Sequence, residues 1–161
     1  MKNKSGIKIY KMSFEGQVLE RGFWLYVWKI STSKTDYLYV GRTGDSSSPN
    51  AASPFKRIGQ HLDFGKNAKG NSMAKNLCKN NINPLDCTFE MFAIGPLFPE
   101  QNSKENHYPI RDEMAALEFA LSNELKKRNY TVLGTHIPKK SLHKQLFQQV
   151  LSKIDDDFPP V

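Results

Sequence analysis

The sequence predicts an α+β domain, a small central antiparallel β-sheet flanked by helices. Three observations carry this. Residues 23–30 (FWLYVWKI) and 37–41 (YLYVG) are rich in aromatic and β-branched residues and are separated by a short polar loop, the pattern of an antiparallel hairpin. A third alternating run follows at 85–94 (LDCTFEMFAI). The segments between and after these runs place apolar residues three and four apart, as amphipathic helices do.

Taken in order, residues 1–22 are polar and read as an N-terminal arm. The hairpin comes next. The stretch 43–53, with its Gly, Asp, Ser, Pro and Asn, is a surface loop. Ser53 then caps a helix that Pro54 opens, running over about 55–64 with Phe55, Ile58 and Leu62 on one face. Residues 72–79 suit a second short helix. After the third strand, 95–108 reads as a long loop, because it holds prolines and has no periodicity. Pro109 is expected to open the longest helix, to about residue 128, with a stripe of Ile110, Met114, Leu117, Leu121 and Leu125. A short closing strand is expected within 130–133. A final helix, capped by Ser141, should run to about 154, ahead of a frayed acidic tail. The domain reading is therefore an arm at 1–22, a core domain at 23–134, and a C-terminal helix with an acidic tail at 135–161.

Bulk properties narrow the function classes. No apolar run approaches the ~20 residues of a membrane span. The basic first ten residues are not followed by the apolar core of a secretory signal. The formal net charge of +7 favours polyanionic partners. Two cysteines, Cys78 and Cys87, make neither a zinc cluster nor a disulfide framework, and suggest reduced thiols in a cytoplasmic protein.

Four features could carry chemistry, although each taken singly also has a plain structural reading. Tyr26 and Tyr39 lie on adjacent strands at positions that can share one face. Arg57 and His61 are four apart on a helix; the guanidinium offers a bidentate grip on phosphate and the imidazole a proton relay. Glu118 falls on the edge of the apolar stripe of the long helix, where its oxygens could hold a hard cation. Glu113 and Glu124 are alternatives on the other edge. Lys139, Lys140, His143 and Lys144, near the start of the final helix, form a basic cluster that could contact DNA phosphates or simply face solvent.

The order is a strand with W-L-Y, a strand ending Y-V-G, a helix with R-x-x-x-H, a strand, and a helix with E-x-x-x-x-x-E-L. It resembles the GIY-YIG nuclease family over about two thirds of the chain. Trp24 stands where that family has the first glycine, and the 43–53 loop is longer than in compact members. The resemblance implies a metal-dependent DNA endonuclease that hydrolyses phosphodiester bonds. Tyr26, Tyr39, Arg57, His61 and Glu118 would be catalytic, with Glu118 holding Mg²⁺ or Mn²⁺. Arg42, Lys56 and Asn129 would contact substrate, Thr131 lying close to the same family position as Asn129. Either tyrosine would orient or deprotonate a water, and Arg57 would neutralise the phosphate in the transition state. The expected partner is DNA, with no membrane and no small-molecule organic cofactor. The competing reading is a GIY-YIG-like module that binds nucleic acid without cutting it.

Overall fold

The structure is a computed structural model that describes residues 6–134, 137 and 141–160. The basic pair Lys139 and Lys140 lies outside the described residues. Among the described residues, four strands and four α-helices make an α+β fold: β1 (Gly22–Ser31), β2 (Asp36–Arg42), α1 (Pro54–His61), α2 (Ser72–Lys79), β3 (Thr88–Pro99), α3 (Lys104–Lys127), β4 (Val132–Leu133) and α4 (Lys144–Ile154). The sheet order is β3-β1-β2-β4. β1 pairs antiparallel with both β2 and β3. β4 joins β2 in parallel, through Leu38–Val132 and Tyr39–Leu133, so the sheet is mixed rather than wholly antiparallel. The long crossover through α3 allows a parallel pairing, which a tight turn could not make.

The sheet is buried on both faces, which explains why β1 reads as a continuous apolar run. Phe23, Leu25 and Val27 of β1 and Leu38 and Val40 of β2 face a core built with Met114, Leu117, Leu121 and Leu125 of α3 and Val150 and Ile154 of α4. The opposite face carries Tyr26, Trp28, Ile30 and Tyr39, covered by Met73 and Leu77 of α2 and flanked by Ile58 of α1. Tyr26 and Tyr39, two of the candidate site residues, project from this second face.

Several boundaries differ from the sequence reading. β3 continues to Pro99 because Gly22 and Phe23 pair with Pro99 and Phe98 across a register shift next to Leu25. α3 begins at Lys104 rather than Pro109. Its N-cap is Ser103, whose hydroxyl accepts from the Asn106 amide, and Pro109 sits inside the helix. α4 is capped by His143, whose Nδ1 accepts from the Leu146 amide, so Ser141 lies outside the helix. The acidic tail is not frayed through residue 158: Phe158 is 1% exposed and belongs to the main core. The side chain of Arg128 bonds to the Phe158 carbonyl and to the carboxylates of Glu124 and Asp155.

Candidate active site

The hairpin register places Tyr26 opposite Gly41 and Trp28 opposite Tyr39. Strand alternation then sets Tyr26, Trp28, Tyr39 and Gly41 on one face. Tyr26 is fully buried, and its ring lies directly over Gly41. A Cβ at residue 41 would come within 2.7 Å of the Tyr26 Cζ and hydroxyl oxygen, and closer still to Cε2. The glycine of Y-V-G is therefore a steric requirement: only a residue without a side chain lets the phenol lie flat across the neighbouring strand.

Around this pair is a cavity of about 160 Å³ lined by Tyr26, Tyr39, Arg42, Arg57, His61 and Glu118, together with Gly41, Asp45 and Ser72. At about 30 Å³ per water, it has room for a phosphate group or a few solvent molecules. α1 delivers Arg57 and His61, and its start is fixed as the sequence suggests: Ser53 Oγ accepts from the Lys56 amide and Pro54 occupies the first turn. α3 packs mainly on the other face of the sheet and contributes Glu118, which is 8% exposed.

Most of the polar contacts form one connected set around the Tyr26 hydroxyl. The Tyr26 hydroxyl lies 2.5 Å from His61 Nε2, 3.1 Å from the Arg42 carbonyl and 3.5 Å from Arg57 Nε. Arg57 Nη1 donates to Gln60 Oε1 at 2.5 Å, and Nη2 to Asp45 Oδ2 at 3.0 Å. Arg42 Nε donates to Glu118 Oε2 at 2.9 Å; both side chains are largely buried. Tyr39 shares a side-chain hydrogen bond with Ser72.

Electrostatics fix the protonation states. Burial raises the Tyr26 phenol far above its ordinary value, and the nearby Arg57 charge only partly offsets this. Tyr39 is pushed up to about 12, first by burial and then by Glu118. Both phenols are thus neutral hydrogen-bonding groups at physiological pH. The Arg57 guanidinium loses solvation, yet Tyr26, Asp45 and Tyr39 more than compensate and raise its pKa, so it stays charged.

His61 is 1% exposed, and burial followed by the Arg57 charge lowers its pKa to about 4. It is neutral near pH 7. Its two tautomers divide the bonding differently. With the proton on Nδ1, Tyr26 donates to Nε2; with the proton on Nε2, Tyr26 accepts and gives its own hydrogen to the Arg42 carbonyl. Nδ1 is buried without a hydrogen-bond partner among the described residues.

The depressed histidine has a thermodynamic consequence. An unfolded histidine titrates near 6.5. Between pH 6.5 and about 4 the unfolded chain therefore binds the extra proton. The stabilisation is fully present above about 6.5 and is lost as pH falls through this window, by on the order of 3 kcal/mol. Urea midpoints measured from pH 7.5 down to 4 should fall more steeply for the wild type than for His61→Gln. Parallel curves would show that His61 is not held neutral in the fold.

The chain matches no family model, no curated protein and no solved structure. Of the eight residues that the family resemblance assigns to catalysis or substrate contact, Tyr26, Tyr39, Arg42, Arg57, His61 and Glu118 meet in this cavity. Arg42 does so as the cation that grips Glu118, which engages the guanidinium assigned to substrate. Lys56 lies outside it, in an adjoining groove.

Asn129 is not brought to the cavity. It follows the C-terminus of α3 with φ 66°, its amide bonded to the Lys126 carbonyl and the Tyr130 amide to the Leu125 carbonyl. That is a Schellman stop, in which asparagine tolerates the left-handed conformation. Thr131 likewise lies away from the cavity; its carbonyl accepts from the Leu38 amide.

Asp45 and Ser72 were not legible as site residues. Asp45 sits in a loop without periodicity, and Ser72 reads as the start of a helix. Gln60 was in principle visible, being three residues beyond Arg57 on the same helix face. Among the described residues, no group of three or more His, Cys, Asp or Glu side chains is arranged to hold a metal ion. No helix of the described residues is long and apolar enough to cross a membrane.

Proposed function

We propose that this chain is a metal-dependent DNA endonuclease of the GIY-YIG type. The observation that carries the reading is the cavity itself. Two phenols, a buried arginine, a neutral imidazole and a carboxylate converge from two strands and two helices on a space the size of one phosphate group. Each has a part in phosphodiester hydrolysis. Arg57 is charged, oriented by Asp45 and Gln60, and presents a planar fork suited to a non-bridging phosphate oxygen pair. Its fixed placement stabilises charge that grows on the phosphate in the transition state without reorganisation at that moment. Tyr39 and Tyr26, held protonated by burial, orient the attacking water rather than accept its proton in the resting site. His61 fixes the Tyr26 hydroxyl from the other side.

The donor set fits a hard divalent cation. Mg²⁺ is typically bound through one or two carboxylates and keeps waters and substrate phosphate as its other ligands, so one preorganised glutamate is enough. Glu118 would hold it, with Arg42 setting the orientation of the carboxylate. The bound ion would supply Lewis-acid stabilisation of the leaving oxygen.

The test is direct. Purified protein is incubated with supercoiled, single-stranded and branched DNA, with Mg²⁺ or Mn²⁺ and with chelator. Metal-dependent nicking of any of the three supports the reading. Binding to DNA without nicking under every condition would replace it with the non-cutting module.

A further inference from the structure

Next to the catalytic cavity is a second, larger hollow of about 560 Å³, and the two share Asp45 and Arg57 in their walls. One wall is the outer face of α1, carrying Lys56, Gly59 and Gln60; the other is the loop at 43–53, and Lys69 closes one end. Both walls are anchored. The loop is held from α3, where His107 Nε2 meets the Ser46 carbonyl at 3.1 Å and the Tyr108 hydroxyl donates to the Ser47 carbonyl at 3.4 Å. On the other side, Gln60 accepts from Arg57 and passes its own Nε2 hydrogen to the Lys69 carbonyl at 3.4 Å, so one amide ties the catalytic arginine to the backbone that carries Lys69.

The chemistry of this hollow is that of a backbone track. Of its two carboxylates, Asp45 is paired with Arg57, while Asp63 Oδ1 accepts from the Gly65 amide and keeps its charge at the rim. Its two ammonium groups, Lys56 and Lys69, make no ion pair among the described residues. Gly59 leaves the helix face bare, since a Cβ there would meet nothing within 4 Å. Among the described residues no aromatic side chain lines the hollow, so it offers none of the stacking platform that base recognition in single strands relies on.

We propose that this groove receives the sugar-phosphate backbone of the nucleotide adjoining the scissile phosphate, with Lys56 and Lys69 on the neighbouring phosphate. The inference rests on the nuclease reading for the position of the scissile group. It adds that the strand is gripped on this side through its phosphates and not through its bases, so sequence preference does not originate here.

Full-length protein is titrated with a short fluorescent DNA duplex by anisotropy, with chelator present, over a series of salt concentrations. For every phosphate charge the protein no longer neutralises, the plot of log K against log salt should become shallower by about 0.9. Lys56→Ala/Lys69→Ala, which frees that one phosphate, should therefore flatten the slope by about 0.9 and weaken binding several-fold at moderate salt. Lys126→Ala/Lys127→Ala removes the same charge at the C-terminal end of α3 and should change the slope far less. Gly59→Phe adds a ring to an exposed helix position and should obstruct the groove, weakening binding without lowering the melting temperature. In cleavage assays the lysine double variant should lose more in KM than in kcat.

Equal slopes for the two lysine pairs, in a wild-type protein that binds and cuts, would overturn the groove and leave the nuclease reading intact. A wild type that binds with the expected loss in the double variant, yet never cuts, would keep the groove and overturn the nuclease reading. A wild type with no salt-dependent binding to DNA would overturn both.

Discussion

Glu118→Gln should abolish DNA cleavage while leaving DNA affinity within a few fold of wild type. The substitution removes one negative charge from a side chain that is 8% exposed and keeps an oxygen able to accept from Arg42 Nε. The fold should therefore survive, and a thermal melt within a few degrees of wild type is the control. The variant lacks the anionic oxygen a divalent cation requires, because a neutral amide is a far poorer ligand for a hard ion. Mn²⁺ binding followed by electron paramagnetic resonance gives a readout independent of activity and should weaken in parallel. A variant that cuts at the wild-type rate would remove Glu118 from the metal assignment. Glu124 and Glu113 would be the next carboxylates to test, although neither lines the cavity.

Arg57→Lys should still bind DNA but cut at least ~10²-fold more slowly, the cost of removing one preorganised transition-state donor. All three guanidinium nitrogens of Arg57 are engaged, Nε by Tyr26, Nη1 by Gln60 and Nη2 by Asp45. A lysine keeps the charge and cannot reproduce that fork. Arg57→Ala should be slower still, with both charge and geometry gone. Single-turnover rates at saturating protein separate chemistry from affinity. A lysine variant within a few fold of wild type would reduce Arg57 to an electrostatic anchor. The Asp45 contact adds a detail to this expectation: a phosphate that takes the fork edge-on competes with that carboxylate, so Asp45 has to yield its place or share it.

Much of the site was legible because its residues lie where the sequence has strong periodicity. Strand alternation put Tyr26 and Tyr39 on one face, and the wheel of α3 put Glu118 on the rim of its stripe; the structure has both arrangements. The parts that were not legible depend on tertiary contacts. Gly95 and Pro96 read as punctuation, yet the strand runs through them because the start of β1 offers Gly22 and Phe23 as partners. Pro109 read as a helix start, yet α3 begins at Lys104 because the preceding turns are tied to the loop through His107 and Tyr108. Asp45 shows the same limit, since nothing local distinguishes it from its serine neighbours until Arg57 arrives from twelve residues away.

Phe158 bears on how this chain is made. Its ring is sealed among Phe92 and Tyr130, with ring centroids at 4.9 and 5.7 Å, and its carbonyl is held by a buried arginine from the end of α3. β1 and β2 can pair as soon as both have been synthesised, but the apolar pocket they help to form closes only when Phe158, far along the chain from the hairpin, arrives to fill it. Until then the face of the sheet that it covers stays open to water.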